Sequence, residues 1–103
     1  VNVSGEFSKS GVAPDEAVAL ATTVAALPGL RVRGIMGIPE PTSDVRVRRS
    51  RFARLRECFD ACRGEGLPVD TLSMGMSDDF EAAILEGATI VRVGTAIFGV
   101  RKK

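Results

Sequence analysis

Histidine, tyrosine and tryptophan are all absent from this chain of 103 residues. Without histidine there is no side chain of the kind that most often serves as general base or metal ligand near neutral pH. Without tyrosine no phenol is available to pass a proton. Lysine occurs only at Lys9, Lys102 and Lys103, so amine chemistry is confined to one loop and the tail. The two cysteines, Cys58 and Cys62, lie four apart, and two thiols without histidine do not make a zinc site. Both read as buried core thiols, which fits a cytoplasmic setting. No apolar run approaches the roughly 18–20 residues that span a bilayer, and no signal peptide opens the chain. A net charge of +1 gives no global field to draw nucleic acid or a membrane.

What remains is a core-forming composition: 45% hydrophobic residues and a mean hydropathy of +0.13 exclude a disordered chain. The length bounds it at one domain. Val1–Ser4 reads as a strand remnant, followed by a polar loop over Gly5–Ala13. Pro14 suits a first helical position, with Asp15 and Glu16 in the first turn. Ala17, Leu20, Ala21, Val24 and Leu27 then recur at helical spacing until Pro28-Gly29. Leu30–Ile38 reads as a second strand, and Pro39–Ser43 as a stiff connector, since neither proline can donate to a ladder. A long helix runs from about Asp44 to Arg63, with Phe52, Leu55, Phe59 and Cys62 as its buried stripe. The order βαβαβαβ with short connections predicts parallel strands joined by helical crossovers.

The most informative stretch is LSMGMSDDFEAAILEGATIVRVGTAIFG, Leu72 to Gly99. It reads as two strand–loop–helix units in succession. Val69–Ser73 is a buried strand, Met74-Gly75-Met76 a tight loop, and Ser77 the N-cap of a helix over Asp78–Glu86 whose dipole favours Asp78 and Asp79. Thr89–Val93 is the next strand, Gly94-Thr95 its turn, and Ala96–Phe98 a short helical turn closed by Gly99. Two neighbouring helix starts with free N–H groups and hydroxyls form an anion cradle. In a β/α barrel the loops after the last strands are where phosphate groups sit. A phosphate-bearing ligand is the first functional inference.

The same residues resemble the C-terminal motif of the pyridoxal-phosphate homeostasis proteins (the YggS/PROSC group), single-domain relatives of the alanine racemase barrel. VNVSGEFSKSG, with Asn2, Glu6, Lys9 and Gly11, resembles that family's mid-chain strand and loop, and Arg33–Pro39 its next strand. The resemblance covers essentially the whole chain. It implies that residues 1–103 are the C-terminal half of a (β/α)8 barrel of the alanine racemase N-terminal domain type. It also implies pyridoxal 5'-phosphate as cofactor, bound through its phosphate. In that family the Schiff-base lysine lies near the start of a barrel about twice this length, and nothing here matches that segment. A half-barrel exposes two strand edges and an apolar inner face, so self-association is expected.

The residues expected to hold the cofactor are Ser77, Gly94 and Thr95 at its phosphate, Arg92, and Met76. Arg92 sits within an apolar strand, where an unpaired charge is costly. Alternation puts Ile90 and Arg92 on one face and Val91 and Val93 on the other. In racemase-like sites an arginine approaches the pyridine nitrogen and keeps it unprotonated, which weakens the cofactor as an electron sink. Met74 and Met76 flank the site, and Asn2, Ser8 and Lys9 are candidates to line its mouth. No catalytic residue and no metal ligand is expected. Arg46, Arg48, Arg49, Arg51, Arg54 and Arg56 are distributed around the long helix and read as a solvated face with acidic partners, not a nucleic-acid patch.

The function these features imply is cofactor binding and homeostasis without turnover. Racemisation needs two positioned bases, normally lysine and tyrosine, and this chain has no tyrosine. The alternative is a barrel enzyme, of the amino-acid racemase type or one acting on a phosphorylated small molecule. Its acid/base carboxylates would have to be Glu40 and Asp78. A third reading is an interaction module that pairs through an open sheet edge.

Overall fold

The computed structural model describes residues 1–6 and 10–100. A single turn of 3-10 helix over Pro14–Glu16 leads into α1 (Ala17–Ala25), and β1 (Gly34–Met36) follows. Then come α2 (Val45–Gly64), β2 (Thr71–Met76), α3 (Phe80–Leu85), β3 (Ile90–Arg92) and α4 (Thr95–Phe98). The strands form a parallel sheet in the order β1-β2-β3. Helices alternate with strands as the connection lengths predict.

Local chemistry sets the elements. The Asp44 carboxylate accepts from the backbone N–H groups of Arg46 (2.9 Å) and Val47 (3.3 Å), which caps α2 where its apolar periodicity begins. Phe52, Leu55, Cys58, Phe59 and Cys62 lie on its buried stripe. This stripe packs against Ile35, Leu72 and Met74 from the sheet, and Ala17, Ala21, Val69 and Ala83 complete the core. α2 covers β1 and β2, and α3 covers β2 and β3. Burial raises the pKa of both free thiols, so Cys58 and Cys62 behave as core residues.

The other face of the sheet is open. Met36, Ser73 and Ile90 pair in register across the three strands, and Met36 and Ile90 are nearly half exposed. Arg92 pairs with Met76 one row further on, and both residues are exposed.

Several boundaries differ from the sequence reading. Val1–Ser4 is not a strand: Val1 N donates to Met36 O (2.7 Å), but Asn2 N turns away to Val12 O (2.8 Å), so no ladder forms. The described sheet has three strands, not four. β1 is shorter than Leu30–Ile38, because hydrogen bonds to β2 reach only from Arg33 O to Gly37 N. Met74-Gly75-Met76 is not a loop but the end of β2. Gly75, at φ +102°, lets the strand bulge, so that Ser73 to Met76 on β2 faces only Ile90 to Arg92 on β3. α3 begins at Phe80 with Asp79 as its N-cap, so Ser77 does not cap it and Asp78 lies outside it.

Candidate functional site

All three strands end at one cleft of about 1330 Å³. The Pro39–Ser43 connector and Arg48 form one wall, the Met76–Asp79 loop the floor, and Arg92, Gly94, Thr95 and α4 the other wall. All five of the expected cofactor residues, Met76, Ser77, Arg92, Gly94 and Thr95, line it.

Ser77 ties two sides of the cleft together. The Oγ accepts N–H bonds from Gly94 (3.0 Å) and Ala96 (3.1 Å), 17 and 19 residues further along the chain. The expected local cap is therefore replaced by a bridge that ties the β2 loop to the start of α4. A hydroxyl oxygen has two acceptor positions and one proton. With both positions filled by backbone donors, the Ser77 proton is left to donate, and it has no acceptor among the described residues. Asp79 stabilises the same loop, its Oδ1 accepting from Met76 N (2.7 Å) while its own N–H donates to Met76 O (3.1 Å).

The Gly94 carbonyl accepts from Ile97 and Phe98, which winds α4 and presents Thr95 at its first turn. The Thr95 hydroxyl has no partner among the described residues. The Gly94 N–H, by contrast, is already committed to Ser77, so Gly94 shapes the turn and does not itself present a free donor.

Arg92 departs from expectation in one respect. It is exposed, with no hydrogen bond or ion pair among the described residues, so the argument from an expensive buried charge does not hold. The predicted alternation does hold: Ile90 and Arg92 share the open face, and Val91 and Val93 the covered one. The two methionines divide, Met74 fully in the core and Met76 exposed in the cleft.

Asn2 is engaged by its own loop, donating through Nδ2 to Glu6 O (2.8 Å) and accepting at Oδ1 from Glu6 N (3.2 Å). It does not line the cleft. Ser8 and Lys9 lie outside the described residues. Glu40, one of the two carboxylates an enzyme reading needs, faces Arg51 at 4.0 Å and is not in the cleft wall. Asp78 alone of that pair is there.

Arg48 was hidden in the sequence by the arginine run around it. Its Nη2 donates to Thr42 O (2.8 Å), half-buried at the cleft wall. The signal that could have found it is its place in the first turn of α2, directly after the connector that leaves β1. The rest of the run is a solvated face: Arg49 pairs with Glu86, Arg51 with Glu40, Arg54 with Glu57 and Arg56 with Asp60, while Arg46 is exposed with no ion pair among the described residues. Among the described residues no group of three or more potential metal ligands is found, and no helix is long and apolar enough to cross a membrane.

The described residues thus form an α/β fold whose parallel strands end on hydroxyl and guanidinium donors. The chain belongs to the family described as alanine racemase, N-terminal domain, whose profile matches residues 1–102. It is 60% identical over 101 residues to the pyridoxal phosphate homeostasis protein of Pseudomonas aeruginosa, covering 98% of this chain and 43% of that protein. The protein of the same name from Escherichia coli K12 is 51% identical over 102 residues, with the same coverage. The chain thus spans less than half the length of these relatives. Among solved structures, an unknown protein from Bifidobacterium adolescentis superposes with a TM-score of 0.89 at 45% identity, over 95% of this chain and 40% of that one. PipY of Synechococcus elongatus, solved with PLP bound, gives 0.78 at 30% identity, over 96% and 47%. The family read from the sequence is therefore upheld.

Proposed function

We propose that this chain forms the C-terminal, phosphate-holding part of a barrel that binds pyridoxal 5'-phosphate, in a cytoplasmic protein that stores or delivers the cofactor without turning over a substrate. The observation that carries the reading is the Ser77 bridge. It commits both acceptor positions of the hydroxyl to the protein and leaves its proton, beside the unpartnered Thr95 hydroxyl and Arg92, for an anion. Such a donor set fits a phosphate, and the relatives' names supply the cofactor's identity. When bound, the cofactor supplies an aldehyde that condenses with amines.

The chain's own residues bind and orient. Ser77 and Thr95 donate to phosphate oxygens, and Arg92 directs a positive charge at the ring end. Met76 supplies an apolar surface beside the ring. Among the described residues no pair suits two-sided proton transfer, because Glu40 is turned to Arg51 and the chain has neither histidine nor tyrosine. The open sheet face, with Met36 and Ile90 nearly half exposed, supports self-association of the chain when alone.

Titration of the full-length protein with pyridoxal 5'-phosphate and with pyridoxal tests the phosphate assignment. The phosphorylated form should bind at least about tenfold more tightly, the effect of hydrogen bonds to a charged group. Equal affinity for the two would overturn it. Racemisation of alanine at a rate above background would overturn the non-catalytic part.

A further inference from the structure

We propose that Asp79 is a positioning residue of the phosphate site: without touching the ligand, its carboxylate closes the turn that aims the Ser77 hydroxyl. This rests on the cofactor reading above and deepens it.

The carboxylate forgoes its local role. Asp79 is the N-cap of α3, where an aspartate ordinarily accepts from the N–H groups of its own first turn. It makes no such bond. Its Oδ1 turns back along the chain and accepts from Met76 N at 2.7 Å, a short, charge-assisted bond. The backbone closes the same ring, since Asp79 N donates to Met76 O at 3.1 Å. Ser77 and Asp78 are thus held between two bonds that join Met76 to Asp79. The far side of the ring is tied to the core, because Asp79 O accepts from the N–H of the fully buried Ala83. Gly75 delivers the chain to this turn, and Asp79 fixes the turn itself.

The consequence falls on Ser77. Its Oγ accepts from Gly94 N at 3.0 Å and from Ala96 N at 3.1 Å, and such bonds weaken steeply once the donor angle is lost. A turn free to shift would lose the bridge and the direction of the remaining proton together. The adjacent Asp78 carries the same charge, yet it is exposed and makes no hydrogen bond or ion pair among the described residues. Charge alone predicts the opposite sign. A carboxylate beside a phosphate repels it, so deleting one that acts only through its field tightens binding, whereas deleting one that holds the hydroxyl loosens it.

The test titrates the full-length protein with pyridoxal 5'-phosphate and with pyridoxal, which lacks the phosphate. Asp79→Ala should weaken the phosphorylated form about tenfold, the effect of a misaimed hydrogen bond to a charged group, and leave pyridoxal within about twofold. Asp79→Asn keeps an acceptor for Met76 N and should restore most of the affinity. Asp79→Glu keeps the charge but displaces the oxygen by one methylene; it should weaken the phosphorylated form alone, and it carries the test if Asp79→Ala does not fold. Asp78→Ala, the charge control, should not weaken binding. On a Ser77→Ala background Asp79→Ala should weaken binding by less than about twofold further, because the hydroxyl it aims is gone. Unchanged or tighter binding in Asp79→Ala and Asp79→Glu, equal losses for the two ligands, no rescue in Asp79→Asn, the same loss in Asp78→Ala, or an undiminished loss on the Ser77→Ala background would each overturn the inference and leave the cofactor reading standing. No preference for the phosphorylated form in the unmodified protein would overturn both together.

Discussion

Removing the Ser77 hydroxyl should do more than delete one ligand contact. In Ser77→Ala the N–H groups of Gly94 and Ala96 lose their shared acceptor, and these flank Thr95 on either side. Both are exposed, so water replaces the oxygen and the stability loss should be modest, about 1 kcal/mol for the pair. The ligand effect should be larger. A hydrogen bond to a charged group contributes roughly 1.5–3 kcal/mol, so Ser77→Ala should weaken pyridoxal 5'-phosphate by about 10- to 150-fold. Thr95→Ala should fall at the lower end, because its hydroxyl has no role in holding the loop. Since the Ser77 bridge also positions Thr95, the two losses should overlap. The double variant should be weaker than either single one, yet by at least about 0.5 kcal/mol less than their sum. Cofactor titration by absorbance measures all four affinities, and urea melts of the same proteins measure the folding term. Unchanged affinity in the double variant would refute the assignment of both residues. Strict additivity would refute the idea that one hydroxyl organises the other.

Other perturbations separate scaffold from site. Gly75→Ala should destabilise by roughly 1–3 kcal/mol, since its Cβ would meet the Ala83 Cβ at 2.7 Å from a backbone at φ +102°; a urea midpoint equal to that of the unmodified protein would count against the bulge. Arg92→Met should change stability by no more than about 0.5 kcal/mol, because the side chain is exposed and unpaired, while shifting the spectrum of the bound cofactor. An unaltered spectrum would remove Arg92 from the site. Asp70 accepts from Arg33 (2.8 Å) and from the Thr71 hydroxyl (2.8 Å), which hold its carboxyl down at about 2 against an ordinary 3.8. Its contribution is therefore present above pH 3.8 and lost as the pH falls through about 2. Asp70→Asn should be less stable than the unmodified chain at about pH 5, with the gap closing towards about pH 2; a gap independent of pH would show that the pair is not what Asp70 supplies.

How far the sequence foretold the structure depended on how local each determinant was. α2 was legible end to end because its cap, its stripe and its glycine stop all lie within the helix. The covered and open sides of β3 were legible as well, since alternation alone separates Arg92 from Val91. Which side packs under helices is a tertiary fact, and that is why Arg92 was expected to be buried and is not. The first strand failed for a similar reason: Val1–Ser4 has the composition of a strand, but ladder formation depends on what its backbone meets, and Asn2 meets Val12. The Ser77 bridge was legible only in part. The motif marked the residue, but a serine before two aspartates reads as a local cap, and bonds across 17 and 19 residues leave no periodic trace.

Gly75 is where scaffold and site meet. A glycine between two methionines reads as a turn, because a positive φ is what tight loops require. Here the same freedom inserts one extra residue into a parallel strand, where bulges are uncommon. Unbroken pairing onward from Ser73 and Ile90 would bring Gly75 level with Arg92 and Ser77 level with Gly94. With the bulge, Met74 stays in the core, Met76 comes level with Arg92, and the next residue, Ser77, reaches the N–H groups of Gly94 and Ala96. The absence of a side chain at Gly75 also lets α3 close on the sheet, with Ala83 fully buried against it. One residue thus sets both the depth of the core and the aim of the hydroxyl. A substitution there should lose cofactor and stability together, whereas changes at Ser77, Thr95 or Arg92 should separate them.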